Sequence, residues 1–176
     1  CLGISHFGFL RFRADGRYLA LVNDSAWVHF YIEKQLIDKT TIFLDDLGHS
    51  KNSIIQKSLW PDPEKSECLS ALWEHNICHG INFNVLAEEY LDVYYFATDK
   101  NNKNVIDIYI NEEQLLLRFI YYFKEKALSL IPIDNPKIFS HQSGDPVFNK
   151  LKLLSVDKRW TQEQRQSFID MTSINR

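Results

Sequence analysis

The sequence is poor in several things. Of its 176 residues, three are cysteine and one is methionine, while glycine and proline number six and five. Cys1, Cys68 and Cys78 are too few, and odd in number, for a disulfide scaffold; they fit a reducing compartment. The glycines stand singly at 3, 8, 16, 48, 80 and 144, so no glycine-rich loop is present to cradle a phosphate. No Gly-x-Ser-x-Gly elbow occurs, which removes the simplest hydrolase signature. No apolar run approaches the ~20 residues that span a bilayer. The longest, Leu115 to Ile131, is interrupted by Arg118, Lys124, Glu125 and Lys126. Basic charge is also short: 20 Lys and Arg face 23 Asp and Glu, and a net charge of −3 weighs against a strongly cationic nucleic-acid surface.

What is present is apolar and aromatic. Hydrophobic residues make up 45% of the chain and aromatics 14%, enough for one well-filled domain and too many for disorder. The chain opens on Cys1, and Cys1 to Leu10 lacks the pattern of a signal peptide, so it reads as a cut through a longer protein. The residues after Asn149 sum to +3, leaving −6 for residues 1–149. This composition shift suggests a main domain over 1–149 and a polar linker or helix over 150–176, with Thr161 as a helix cap.

Periodicity supplies the elements. Ile4 to Arg13 alternates, Asp15-Gly16 is a hairpin signal, and Arg17 to Val22 returns as a second strand. Asn23, Asp24 and Ser25 offer caps for a helix carrying Trp27 and Tyr31 at i, i+4, with Val28 and Ile32 beside them. Thr40 to Leu44 suggests a short strand, and Ser58 to Pro61 an extended stretch. Asp62-Pro63 opens a helix with Leu69, Leu72 and Trp73 on one face, broken at Cys78-His79-Gly80. Strands follow over Ile81 to Val85, Tyr90 to Thr98 and Val105 to Ile110. The strand around Leu91 to Ala97 is apolar on nearly both sides, so both faces are expected to be covered. Asn111 with Gln114 resembles a capping box for a long helix from Glu112 to about Leu130, whose expected buried stripe is Leu115, Leu116, Phe119, Ile120, Phe123, Ala127 and Leu130. The order is that of an α+β domain, with helices packed on an antiparallel sheet.

Chemistry-bearing residues are sparse. Cys68, His75, Cys78 and His79 are metal-ligand types, but their spacing fits no zinc pattern, and a buried cysteine with helix-end histidines explains them better. Asp45, Asp46 and His49 read as a solvated loop, and Asp24-Ser25 with His141 to Ser143 as turns and caps. No catalytic residue, metal ligand or cofactor site is expected. The stronger signal is aromatic: Trp27, Tyr31, Trp60, Trp73, Tyr94, Tyr95 and Phe96 fall in the sheet and its covering helices. Such residues either fill a core or wall a pocket for a small amphiphilic molecule.

Three segments resemble the N-terminal sensory domain of LuxR-type quorum-sensing transcription regulators. Asn23 to Tyr31 is similar to that family's Asn-x-x-x-Trp-x-x-x-Tyr helix, and Ile54 to Trp60 to its stretch leading into a Trp. Glu74 to Val85 is similar to the helix end that runs through a Gly-centred turn into a core strand. The resemblance implies an α-β-α sandwich, PAS- or GAF-like, on a sheet of about five antiparallel strands. It implies an acyl-homoserine lactone or a different small-molecule signal bound between sheet and helices. It further implies a homodimer, a cytoplasmic location, no membrane contact, and DNA binding only through a helix-turn-helix domain outside this chain. Trp27 would donate to the ligand head-group carbonyl, Tyr31, Trp60 and Tyr95 would wall the pocket, and Gly80 would let the backbone turn where a side chain would clash. The family's Asp-Pro is absent: Thr40 stands at that distance from Tyr31, with Asp38 or Asp45 as the nearest substitutes, and Val85 replaces its strand proline. The alternatives are a ligand-free dimerisation module with a filled core and a small hydrolase or transferase using Asp45, His49, Cys78 or His79.

Overall fold

A computed structural model describes residues 2–13, 17–36, 55–87, 90–127 and 139–140. Asp38, Asp45 and His49, the expected strand over 40–44, Leu130 and everything beyond residue 140 lie outside the described residues.

Strands β1 (His6–Arg13) and β2 (Arg17–Val22) pair antiparallel, Gly8 opposite Val22 and Phe12 opposite Tyr18, as the Asp15-Gly16 signal predicts. Helix α1 (Ser25–Glu33) follows at once. Of its three candidate caps, Asp24 does the work: its Oδ1 accepts the Trp27 backbone N–H at 3.0 Å. Asn23 instead ties the chain entry to the sheet, accepting from Phe7 N and donating to Ser5 O, each at 3.0 Å. Strand β3 (Ile55–Leu59) leads to Trp60 and Pro61. Asp62-Pro63 opens only a 3₁₀ turn, Pro63–Lys65; helix α2 (Glu67–Glu74) starts after Ser66.

β4 (Cys78–Leu86) begins three residues before the predicted start, with a register shift between Cys78 and Ile81. β5 (Tyr90–Thr98) lies between β4 and β1. With the two-residue β6 (Phe139–Ser140), the sheet order is β3-β4-β5-β1-β2-β6, and every pairing is antiparallel. β5 is the central strand, and Leu91 to Thr98 is buried along its whole length.

The pleat sorts this sheet into two cores. One face carries Phe12, Leu91, Val93 and Ala97 beneath α1 and α2, which bury Trp27, Tyr31, Cys68, Leu69 and Leu72. The other carries Phe9, Ile81, Phe83, Tyr94 and Phe96 beneath α3 (Val105–Asn111) and α4 (Glu113–Ala127). The architecture is therefore α+β, helices on both faces of a sheet with five long strands.

Two expectations are corrected on the second face. Val105 to Ile110 is helix, not strand: Val105 and Tyr109, one turn apart, are buried together, and Tyr109 Oη donates to Phe96 O at 3.3 Å. The α4 stripe is narrower than predicted. Leu116, Ile120 and Ala127 are buried, whereas Leu115 and Phe119 are 44% and 42% exposed.

Candidate functional site: an aromatic chamber between α1 and the sheet

A chamber of about 70 Å³ separates α1 from the sheet. Trp27, Val28, Tyr31 and Ile32 form its roof, spaced so that consecutive turns of α1 face the same way. Leu10, Ala20, Val22 and Val93 form its apolar floor. Cys68 and Leu72 of α2 close one side, and Tyr18 lies at another. Trp60, Asn82 and Tyr95 complete the lining, and no charged side chain belongs to it among the described residues.

Four of the residues singled out in the sequence meet here: Trp27, Tyr31, Trp60 and Tyr95. Trp27 and Tyr31 are 5% and 9% exposed, with ring centres 5.8 Å apart. His75 packs edge-on against Trp27 at 5.3 Å and its Nδ1 lies 2.9 Å from Ala71 O, so it braces α1 against α2. Trp60 and Tyr95 sit 5.7 Å apart.

Gly80 stands outside the lining, behind Trp60, with no left-handed turn of its own. The left-handed backbone there falls on Asn76 and His79, at φ 60° and 50°. Gly80 is bare because the six-membered ring of Trp60 lies against it, and a Cβ would overlap Cδ2, Cε2 and Cε3 of that ring. Gly8 plays the same part for Tyr95, whose ring occupies the space of a Gly8 Cβ.

Asn82 escaped the sequence reading. Asn82 and Asn84 alternate with Ile81, Phe83 and Val85, a pattern that suggests a solvent-facing edge. Both are 1% exposed, because the polar side of β4 faces the helices. Trp60 Nε1 donates to Asn82 Oδ1 at 2.8 Å. That leaves Asn82 Nδ2 buried without a hydrogen-bond partner, and the Tyr95 hydroxyl is in the same condition. Burial pushes the Tyr95 phenol upward, aided by the negative charge of Asp24 and by Cys68, so Tyr95 stays a neutral donor at physiological pH.

The other chemistry-bearing residues have structural uses. Cys68 and Cys78 are buried thiols that take part in no disulfide, and His79 Nε2 lies 3.1 Å from Lys100 O. Among the described residues, no three His, Cys, Asp or Glu side chains cluster to hold a metal ion, and no helix is long and apolar enough to cross a membrane.

No protein-family profile and no curated protein sequence matches the chain. The fold, however, is similar to that of SdiA in complex with octanoyl-rac-glycerol, with a TM-score of 0.54 and 15% identity over 80% of this chain and 60% of SdiA. It is equally similar to CepR2 from Burkholderia cenocepacia, an N-acylhomoserine lactone dependent LuxR family transcription factor: TM-score 0.54, 13% identity, 73% of this chain and 79% of CepR2. The chain shares the fold of these LuxR-family regulators. It spans less than two thirds of the length of SdiA.

Proposed function

We propose that this chain is the small-molecule sensing domain of a LuxR-type transcription regulator and that the chamber between α1 and the sheet is its signal site. The observation that carries the reading is the pair of buried, unpartnered polar groups, Asn82 Nδ2 and the Tyr95 hydroxyl, set into an otherwise apolar and aromatic lining. Buried polar groups in folded proteins are nearly always paired, so two such groups on residues that line one cavity support a place for a partner there. The likeness in fold to SdiA and CepR2 supports the reading. Trp27 and Tyr31 hold the molecule from above, and Trp60 and Tyr95 from the sheet side. Asp38 and Asp45 remain candidates for the head-group acceptor.

At about 70 Å³ the chamber is well below the ~300 Å³ at which pockets for drug-sized ligands begin. Binding of a longer acyl chain therefore goes with movement of α1 away from the floor. Such coupling is the switch: a ligand that binds only the folded form adds about 2.7 kcal/mol at a hundredfold excess over Kd. The stabilised domain then presents a homodimer, and DNA is engaged by a helix-turn-helix domain outside this chain. The domain itself catalyses nothing and works in the cytoplasm.

The small volume also favours a second reading, a ligand-free dimerisation module whose aromatic core is simply filled. Native mass spectrometry of the purified domain separates the two. A co-purifying small molecule, or a mass shift and a higher Tm with octanoyl-rac-glycerol or an acyl-homoserine lactone, supports the sensor. No adduct and an unchanged Tm with either compound supports the module.

A further inference from the structure

Trp60 belongs to two cavities. Next to the chamber lies a second, more open groove of about 250 Å³, walled by Pro61, Pro63, Trp73 and His79, with Leu69 and Ile77 buried at its base. Among the described residues, Trp60 is the one that lines both. Helix α2 divides them in the same way. Cys68 and Leu72 face the chamber, and Leu69 and Trp73, each one position on and so ~100° further round the helix, face the groove. The backbone of Trp60 is fixed, because its N–H donates to Gly80 O at 2.8 Å and Pro61 follows. Movement is thus left to the half-buried side chain, which turns between rotamers. The seat of the ring is the bare backbone of Gly80, which presents no side chain for it to climb over. On that seat Nε1 donates to Asn82 Oδ1 at 2.8 Å, with the Tyr95 ring 5.7 Å away.

We infer that the Trp60 side chain is a swinging gate between the outer groove and the chamber, latched by its bond to Asn82, and that a ligand enters by this route. The inference rests on the sensing reading and adds its regulation: the gate sets how fast the chamber fills and empties, while α1 sets how much it holds. With the ring turned aside, groove and chamber join into one passage that leads under Trp27. With the ring back on Gly80 the bond to Asn82 is remade and the bound molecule is closed off. That bond lies in a shielded, low-dielectric place, where it is stronger than in water, so breaking it slows passage in both directions. The groove suits a molecule waiting to enter. Trp60 and Trp73 offer it flat apolar surfaces, and Pro61 and Pro63 have no backbone N–H to leave without a partner.

The test uses the whole chain and octanoyl-rac-glycerol as the probe. Association and dissociation rates are measured by stopped-flow tryptophan fluorescence for the wild type, Trp60→Phe and Asn82→Leu, all of which keep Trp27 in the roof. Each variant removes the latch, one from the gate and one from its post. Both rates are expected to rise about fivefold in each, the worth of one neutral hydrogen bond, with Kd moving less than either rate. A Trp60 that is only a wall raises the dissociation rate and leaves association unchanged. That result overturns the inference while the chamber remains a binding site. A second readout needs no ligand: hydrogen exchange of the Trp60 indole N–H in the wild type, its NMR signal identified by its loss in Trp60→Phe. A gate opens locally, so this exchange is expected to be faster than that of the Val93 amide and independent of low urea concentrations. Exchange that follows the urea dependence of Val93 means that the ring leaves its seat only on global unfolding, and overturns the inference. If the probe binds none of the three proteins at millimolar concentration, the sensing reading falls and takes the entry route with it.

Discussion

Gly8 and Tyr95 stand opposite each other on β1 and β5, and the Tyr95 ring lies where a Cβ on Gly8 would be. The glycine thereby decides how deep the chamber is, because any side chain at position 8 pushes the ring toward α1. Gly8→Ala is expected to cost about 1–3 kcal/mol, the usual range for overpacking a filled core. It should also weaken ligand binding, because the displaced ring enters the free space. Thermal denaturation and titration with octanoyl-rac-glycerol check both parts. Unchanged stability together with unchanged affinity would mean that the ring has room elsewhere.

The two tryptophans of the helices should behave differently. Trp27 roofs the chamber, whereas Trp73 lies outside it, packed edge-on to His79 at 5.4 Å with Lys100 over its ring. Trp27→Phe removes the indole N–H and part of the roof, and is expected to reduce ligand affinity about tenfold, roughly 1.4 kcal/mol. Trp73→Phe should leave affinity within about twofold of the wild type, a change under roughly 0.5 kcal/mol. Calorimetry on both variants is the measurement, and equal losses would place the ligand elsewhere.

A buried ion pair holds β1 to β5 on the opposite face. Arg11 Nε and Nη2 donate to the two carboxylate oxygens of Asp92 at 2.6 and 2.8 Å, and the Asp92 side chain is fully shielded from solvent. Arg11 also stacks on Tyr90, 4.1 Å from its ring centre. Burial raises the Asp92 carboxyl above the ordinary carboxylate range, and Arg11 offsets part of that rise. Arg11→Met leaves the carboxylate unpaired and is expected to cost about 3–5 kcal/mol at pH 7. Without the guanidinium, which opposes the rise, the Asp92 carboxyl moves further up. Its contribution to stability is therefore fully present below the unfolded value near 3.8 and is lost as pH rises through the raised folded value. The variant should lie closer to the wild type at pH 4 than at pH 7 in urea denaturation. A deficit that grows on acidification would contradict this assignment.

The thiols should be silent while the domain is folded. Cys78 is 1% exposed, and burial pushes its thiol up to about 11, with Lys100 opposing and Asp99 adding to that rise. At pH 8 its thiolate fraction is then on the order of 0.001, too small for ready alkylation. Mass spectrometry after iodoacetamide treatment at pH 8 should show Cys68 and Cys78 unmodified in the native state and both modified in urea. Rapid labelling of Cys78 in a domain with an intact circular dichroism spectrum would show that the β4 entry opens locally.

Much of the chamber was legible in the sequence because its roof obeys local rules. Asp24 caps α1, and Trp27 and Tyr31 share one face by spacing alone. The hairpin and the central strand were equally plain, since alternation and an Asp-Gly pair are short-range signals. The misses have one physical cause, the override of local pattern by tertiary burial. Val105 to Ile110 is rich in β-branched residues and reads as strand, yet a helical turn is what sets Val105 and Tyr109 together against Phe96. Leu115 and Phe119 fit an apolar helix face, but α4 presents Leu116 and Ile120 to the sheet, and no periodicity shows where a partner surface ends. Asn82 was missed for the converse reason: polar residues in an alternating strand signal solvent, and only the covering helices turn that side inward.

The central claim, that the face under α1 and α2 recognises a small molecule, is tested most directly by methyl NMR of the chain titrated with octanoyl-rac-glycerol. Leu10, Val22, Leu72 and Val93 line the chamber, whereas Leu19, Leu21, Leu116 and Ile120 belong to the opposite core. The expected result is saturable shifts in the first four methyl-bearing residues with the second four left in place. No saturable shift, or shifts confined to the α3 and α4 side, would contradict it.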